Sequence, residues 1–321
     1  MNSTNKFAIG IDIGGTNTKF GIVDEAGNIL EQDRILTNEH ESVEEFIEEI
    51  YQKLTPMLNH IGGINQISGI GIGAPNGNFY TGNIEYAPNL IWKGIIPLAK
   101  LFSAKFSVPV KLTNDANAAA MGEMIHGCAK GLKHFITITL GTGVGSGIVI
   151  DGKIVLGHDG FAGELGHTII RPGGRMHKGT GIRGTLESYA SATGVRETAL
   201  ELLADNPNEK SLLRDFSINE LITSKSVYEC AIKGDNIANK VYEFTGQILG
   251  EALANFIMFS SPEAIVLFGG LTNAGDLILN PTKKAMEENL IQVFKNKVQL
   301  KFSELKEADA AILGASALIY E

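Results

Sequence analysis

The sequence predicts an α/β fold with mixed sheets, built as two related halves. Three observations predict it. Apolar, β-rich runs alternate with segments of helical period. One unit, strand–glycine turn–strand–tight turn–strand, occurs twice, Gly14 of the first copy lying about 128 residues before Thr142 of the second. Glycine, at 38 of 321 residues, exceeds its usual share of about 7% and supplies the turns of both copies. The period is too long and the copies too few for a solenoid.

Taken in order, Phe7 to Ile13 is an apolar strand broken by Gly14-Gly15. Thr18 to Val23 is the second strand, and Gly27-Asn28 turns the chain into a third, Ile29 to Leu36. Ser42 and Glu45 then form a capping-box pair. Val43, Phe46, Ile47, Ile50, Tyr51 and Leu54 recur at helical spacing, and Pro56 is expected to end or kink that helix. Ile67 to Ile72 is a buried strand, and a loop rich in glycine, asparagine and proline runs to about Pro97. Val108 to Leu112 is a strand, after which Asn114-Asp115 opens an alanine-rich helix through about Glu123. The second copy reads Phe135 to Leu140, a turn Gly141-Thr142-Gly143-Val144-Gly145, Ser146 to Ile150, the hairpin signal Asp151-Gly152, and Lys153 to Leu156. Beyond residue 185 the chain is mostly helical. Val241, Phe244, Ile248, Ala252 and Phe256 mark a long helix stopped by Ser261-Pro262, and Ala264 to Phe268 is a strand ending in Gly269-Gly270. The repeat places a small N-terminal lobe at residues 1–120 and a large C-terminal lobe at 121–307. The last helix, within 308–321, is expected to pack back on the first lobe.

Composition narrows the function. Apolar residues are 44% and charged residues 20%, an ordinary globular balance. A net charge of −9 and a pI near 5.4 disfavour a nucleic-acid partner. No apolar run nears the roughly 20 residues of a membrane helix, so no membrane role is expected. Two cysteines make no disulfide framework and fit a reducing compartment. With one lysine before Phe7 and no secretory pattern there, the expected location is cytoplasmic.

Each glycine turn can aim successive backbone N–H groups at one anion, glycine permitting close approach and positive φ. The first spans Asp12 to Lys19. Gly14 and Gly15 form the turn, Thr16 offers a hydroxyl, and Lys19 offers a cation or lies on the strand surface. Asp12 suits a water-mediated magnesium contact. The second is Gly141, Thr142, Gly143 and Gly145 around Val144. Either turn alone also reads as a tight hairpin; their recurrence in one strand context favours phosphate binding from both halves. No G-x-x-x-x-G-K-[ST] occurs. The G-x-G-x-x-G at Gly179, Gly181 and Gly184 follows Arg175-Met176-His177-Lys178, which is no strand, so the dinucleotide reading fails its context. Asp115 reads either as a helix N-cap or as a general base able to take a hydroxyl proton, as phosphoryl transfer to an alcohol requires. Glu164, His167 and Glu187, set among glycines, suit sugar hydroxyls or a solvated surface.

Assembled, these residues resemble the ROK family of sugar kinases and sugar-responsive repressors. The resemblance covers essentially the whole chain. Its carriers are Asp12 to Asn17 (DIGGTN), Gly73-Ala74-Pro75, Pro88-Asn89-Leu90, Asn114 to Ala119, Gly141 to Gly145, Gly163 to His167, Leu186-Glu187 and Phe268-Gly269-Gly270. It implies a two-lobe actin-like, hexokinase-like (ribonuclease H-like) ATPase fold and an ATP-dependent kinase that phosphorylates a hexose, with glucose foremost. N-acetylmannosamine, N-acetylglucosamine, mannose and fructose are the alternative substrates. Gly14, Gly15, Thr16 and Gly141 to Gly145 would cradle ATP phosphates, and Gly269 and Gly270 would approach the adenosine. Asn89, Asn114, Glu164, His167 and Glu187 would hold sugar hydroxyls. Asp115 would take the proton from the attacking hydroxyl, usually the 6-OH. Magnesium would arrive with ATP, and a homodimer is implied.

The resemblance also implies a structural zinc held by His167 and three cysteines. Those positions read Lys178, Thr180 and Thr185, and the only cysteines are Cys128 and Cys230. No structural zinc is expected. Two readings of another class remain. A sugar-binding regulator would lack its own DNA-binding domain here, since the first strand starts near residue 6. An actin-like filament protein would not need Asn114-Asp115 or Glu164-x-x-His167. Metal analysis is expected to find no stoichiometric zinc, and chelators to leave the protein folded; one zinc per chain contradicts this.

Overall fold

The computed structural model describes residues 7–219, 222–305 and 307–320. The expectation for the segment before Phe7 therefore falls outside the described residues, as does Glu321. The first part of the chain runs β1 (Phe7–Ile13), β2 (Asn17–Asp24), β3 (Ile29–Leu36), α1 (Val43–His60), β4 (Ile67–Gly73), the short strands β5 (Ile84–Glu85) and β6 (Ile95–Ile96), α2 (Leu98–Phe106), β7 (Val110–Thr113) and α3 (Asp115–Ile125). There follow β8 (Phe135–Leu140), β9 (Val144–Ile150), β10 (Lys153–Ile154), α4 (Glu187–Ala190), α5 (Ala192–Asp205), α6 (Leu213–Asn219), α7 (Ser224–Ala231), α8 (Asn236–Ser260), β11 (Ala264–Phe268), α9 (Asp276–Glu288), β12 (Gln299–Phe302) and α10 (Glu307–Tyr320).

The duplication read from the sequence is repeated in the topology. One sheet has the order β3-β2-β1-β4-β7 and the other β10-β9-β8-β11-β12. In the first, β1 and β2 are antiparallel, β2 and β3 antiparallel, and β1, β4 and β7 parallel. In the second, β8, β11 and β12 are parallel. By packing, one unit comprises Met1–Lys133, Gly147–Gly163 and Ser303–Glu321, and the other His134–Ser146 and Glu164–Phe302. This division does not follow a single cut near residue 120, because the chain crosses within β9 and again after Gly163.

Unit 1 is a sheet covered on both faces, which is why β1 and β4 read as continuous apolar runs. On one face Phe46, Ile50 and Leu54 of α1 and Phe102 and Phe106 of α2 bury against Ile9, Ile11, Phe20, Ile70 and Ile72. Ser42 and Glu45 make both bonds of the capping box. Pro56, expected to stop or kink α1, lies inside it, and the helix continues to His60. The burial of Met57 and Leu58 beyond the proline holds that last turn. The α2 helix and the β5–β6 pair fall in or beside the segment read as loop. With nine and two residues, these elements leave too little periodicity to read.

On the other face α10 packs against β1, β4 and α3. Gly10 of β1 and Gly71 of β4 are register partners, and together they make the trough in which it lies. A Cβ on Gly71 would collide with the Ala315 carbonyl, and one on Gly10 with the Ile312 carbonyl. A Cβ on Gly122 of α3 would stand 2.9 Å from the Gly314 Cα of α10.

In unit 2 the 25-residue α8 is the central helix, packed by α4, α5, α7 and α9. It ends at Ser261 with φ +50°, and Pro262 follows.

Gly71→Ala is expected to lower unfolding free energy by about 3 kcal/mol, at the upper end of overpacking costs because the clash is with backbone. Gly141→Ala, whose Cβ meets nothing within 4 Å, should stay within about 0.5 kcal/mol. Denaturant titration of both variants checks this; equal midpoints would mean that α10 is not docked on β4.

Candidate active site

The unit 1 site is built by three parallel strands stopping together. Across the sheet, Lys19, Asp12, Gly73 and Thr113 are successive register partners. The chain leaves β7 at Thr113 and enters α3 through Asn114 and Asp115. Gly73 packs close to both acidic residues: a Cβ placed there would stand 3.7 Å from Asp12 Oδ1 and 3.7 Å from the Asp115 Cα. Burial and the like charge of Asp115 push the Asp12 carboxyl up to about 7, with Lys19 opposing. The folded state thus holds a proton on Asp12 between the usual carboxylate range and about pH 7 that the unfolded chain releases. Its contribution to stability falls as pH rises through that window. The Asp115 carboxyl also lies above the usual range, because surrounding protein displaces water, while the Ala116 amide opposes the rise. Asp115 as a residue nonetheless keeps an exposed surface.

The cap of α3 is Asn114, whose Oδ1 accepts the Asn117 N–H at 2.7 Å. Asp115 is the first helical residue, with Oδ1 accepting the Ala116 N–H at 2.8 Å. The capping alternative for Asp115 therefore belongs to its neighbour.

Neither glycine turn uses positive φ; none of Gly14, Gly15, Gly141, Gly143 and Gly145 is in that region. What glycine supplies is close approach. Gly15 packs on Asn89, whose carbonyl oxygen would lie 2.7 Å from an added Cβ. That contact brings Asn89 to the first turn, where Thr16 is exposed. Several turn amides are already committed. Gly14 N–H donates to Asn17 O (2.9 Å), Gly141 N–H to Gly143 O (3.0 Å), and Gly145 N–H to Thr139 Oγ1 (3.0 Å). Val144 N–H donates to Glu187 Oε2 at 2.6 Å.

In unit 2, Glu164 precedes and His167 ends a short 3-10 turn, Leu165–His167. Leu165 N–H donates to Ser146 Oγ at 3.1 Å, and Gly166 lies against the Val144 carbonyl. His167 Nε2 is 3.9 Å from Glu164 Oε2, and its Nδ1 is buried with no hydrogen-bond partner among the described residues. Glu187 is mostly buried and bonded at both oxygens, Oε1 to His177 Nε2 at 2.6 Å. Both oxygens thus already hold one partner each, and the lone pairs that remain are what Glu187 can offer to a hydroxyl. Gly269, at φ +106°, turns the chain out of β11 against the Leu140 carbonyl, and Gly270 begins the following 3-10 turn.

The structure thus groups Asp12, Lys19, Gly73 and Asp115 in unit 1, with Asn89 on Gly15. In unit 2 it groups Gly143, Val144 and Glu187. His177, Ser146 and Thr139 were missed. Only His177 left a signal, standing beside the positions where the resemblance puts cysteines. Lys178, Thr180 and Thr185 supply no thiolate there, so the family's zinc does not fit. Donor atoms of His167, His177 and Glu187 do lie within 4.8 Å of one another.

A family profile described as ROK family matches residues 8–321. The chain is 35% identical to a glucokinase of Halalkalibacterium halodurans, over 98% of this chain and 96% of that one. It is 31% identical to a glucokinase of Thermotoga maritima, over 98% and 97%. It superposes on a ROK family glucokinase from Streptomyces griseus, solved with glucose and AMPPNP, with a TM-score of 0.80 at 32% identity, covering 97% of this chain and 98% of the other. With this agreement over nearly its whole length and the shared actin-like, hexokinase-like α/β fold, the chain belongs to the ROK family.

Proposed function

We propose that the protein is an ATP-dependent kinase that transfers the γ-phosphoryl group to a hexose, with glucose as substrate and its 6-hydroxyl as acceptor. The observation that carries this reading is the Asp115 carboxyl. It belongs to the first turn of α3, on an exposed residue whose carboxyl pKa burial raises, and Gly73 packs between its Cα and the Asp12 carboxyl. A base of raised pKa is well matched to removing a hydroxyl proton near neutrality. The likeness to glucokinases over almost the entire chain supports the same substrate.

In this reading Asp115 accepts the proton as the hydroxyl attacks. Asn114, its Oδ1 engaged as the helix cap, offers its Nδ2 amide to the sugar, and Asn89, Glu164 and His167 bind other hydroxyls. Glu187 orients the second turn and meets the sugar through its remaining lone pairs. Phosphates take the amides of Gly15, Thr16, Thr142 and Gly143, which make no hydrogen bond within the protein among the described residues. Lys19 balances charge beside Asp12, and Gly269 and Gly270 lie against the adenosine. A divalent cation would be held by the Asp12 carboxyl, which burial and, after it, the like charge of Asp115 leave short of compensation. When bound with ATP, magnesium neutralises phosphate charge. A homodimer and a cytoplasmic location complete the proposal.

ADP release across a panel of hexoses is expected to be greatest with glucose; no release above the sugar-free rate with any hexose overturns the reading. Asp115→Asn should lower kcat by roughly 10²–10⁴ while glucose binding, measured by titration calorimetry, is largely kept. Near-normal turnover would remove Asp115 from its role. Because the base works only when ionised, kcat/KM should fall as pH drops. The midpoint of that limb is expected above the ordinary carboxylate pKa of about 4, and a midpoint at or below 4 would contradict the raised pKa.

A further inference from the structure

We propose that His177 is a positioning residue that fixes Glu187 and, through it, the Gly141–Gly145 turn. The kinetic arm of this proposal rests on the kinase reading; the structural arm does not.

The geometry forms a directed chain. Thr180 N–H reaches His177 Nδ1 at 3.2 Å, and Thr180 Oγ1 lies 2.8 Å from the same nitrogen. A backbone amide can only donate, so Nδ1 is an acceptor and the neutral ring carries its proton on Nε2. That proton points along the 2.6 Å bond to Glu187 Oε1. The other oxygen, Oε2, accepts the Val144 N–H at 2.6 Å. Gly143 lies against this oxygen so closely that any Cβ would strike the carboxylate. Both side chains are well shielded, His177 at 19% and Glu187 at 15% exposure, so the bonds are only lightly contested by water.

The base of the chain is anchored. His177 sits in a hairpin closed by His177 N–H to Ile182 O, Gly181 N–H to His177 O and Gly184 N–H to Arg175 O, each 2.8 Å. The Arg175 guanidinium ties that hairpin to Ser188 O (2.6 Å), Gly194 O (3.1 Å) and Glu201 (2.6 Å). Thr180 and Thr185 stand where the family resemblance expects cysteines. Thr180 orients the imidazole, and Thr185 Oγ1 bonds Ser188 Oγ at 2.8 Å. Hydrogen bonds therefore occupy the place of a metal.

A cation shared by His167, His177 and Glu187 is the competing arrangement. Two ligands each about 2.0–2.1 Å from one tetrahedral ion stand roughly 3.3 Å apart. The His177–Glu187 separation of 2.6 Å is that of a direct hydrogen bond.

The test is amide exchange at Val144, followed by NMR or mass spectrometry on the full chain. His177→Ala is expected to speed it about ten- to a hundredfold, as loss of one bond to a charged group allows. His177→Gln, which restores a donor near Nε2, should return most of the protection. In kinetics, His177→Ala should raise KM for ATP several-fold with kcat nearly unchanged, and His177→Gln should reverse it. Unchanged Val144 exchange in His177→Ala overturns the proposal, as does a glutamine variant no better than alanine. So does one equivalent of zinc in the wild type that His177→Ala loses. If the alanine variant does not fold, Thr180→Val, which removes only the hydroxyl at Nδ1, should still speed exchange at the same amide; no change there overturns the proposal. A wild type that makes no ADP with any hexose defeats the kinase reading and leaves the exchange result to decide the role of His177.

Discussion

Three parallel strands that end in one register row set the geometry of unit 1. Asp12, Gly73 and Thr113 are neighbours across β1, β4 and β7, so residues far apart in sequence meet at one edge. Two positions earlier in the same strands, Gly10 and Gly71 face each other and receive α10. The strands that present the carboxyls are thus held by a helix from the far end of the chain. A slip of one residue would turn Asp12 to the opposite face and close the trough at once.

That row also explains the electrostatics. Burial, and after it the like charge of Asp115, raises Asp12, and Gly73 beside both has no side chain to separate them. Lys19 opposes the excess only in part, from the register position beside Asp12. Such a site stores unmet negative charge and accepts it more easily when a proton or a cation arrives.

Unit 2 reaches order by another route. Its glycine turn is tied to Glu187 by the Val144 amide, and Glu187 to a hairpin that hydrogen bonds, rather than thiolates, hold in place. The turn amides are therefore divided. Some fix the loop, while the N–H groups of Thr142 and Gly143 donate no bond within the protein among the described residues.

Much of this was legible from the chain itself. The strands Phe7–Ile13, Ile29–Leu36, Phe135–Leu140 and Ala264–Phe268 and the capping box at Ser42 follow from local patterns, because apolar period and cap chemistry act between near neighbours. The repeated glycine turns announced the duplicated sheet order, and Asp12 and Asp115 stood out as carboxyls at strand ends. Pro56 did not end α1, since burial of Met57 and Leu58 holds the turn beyond it. The assignment of the α3 cap to Asn114, the Gly10–Gly71 trough and the His177–Glu187–Val144 chain were decided only by the tertiary structure. Each depends on distances between segments that share no local pattern, and such distances exist only once the strands have registered and the helices have packed.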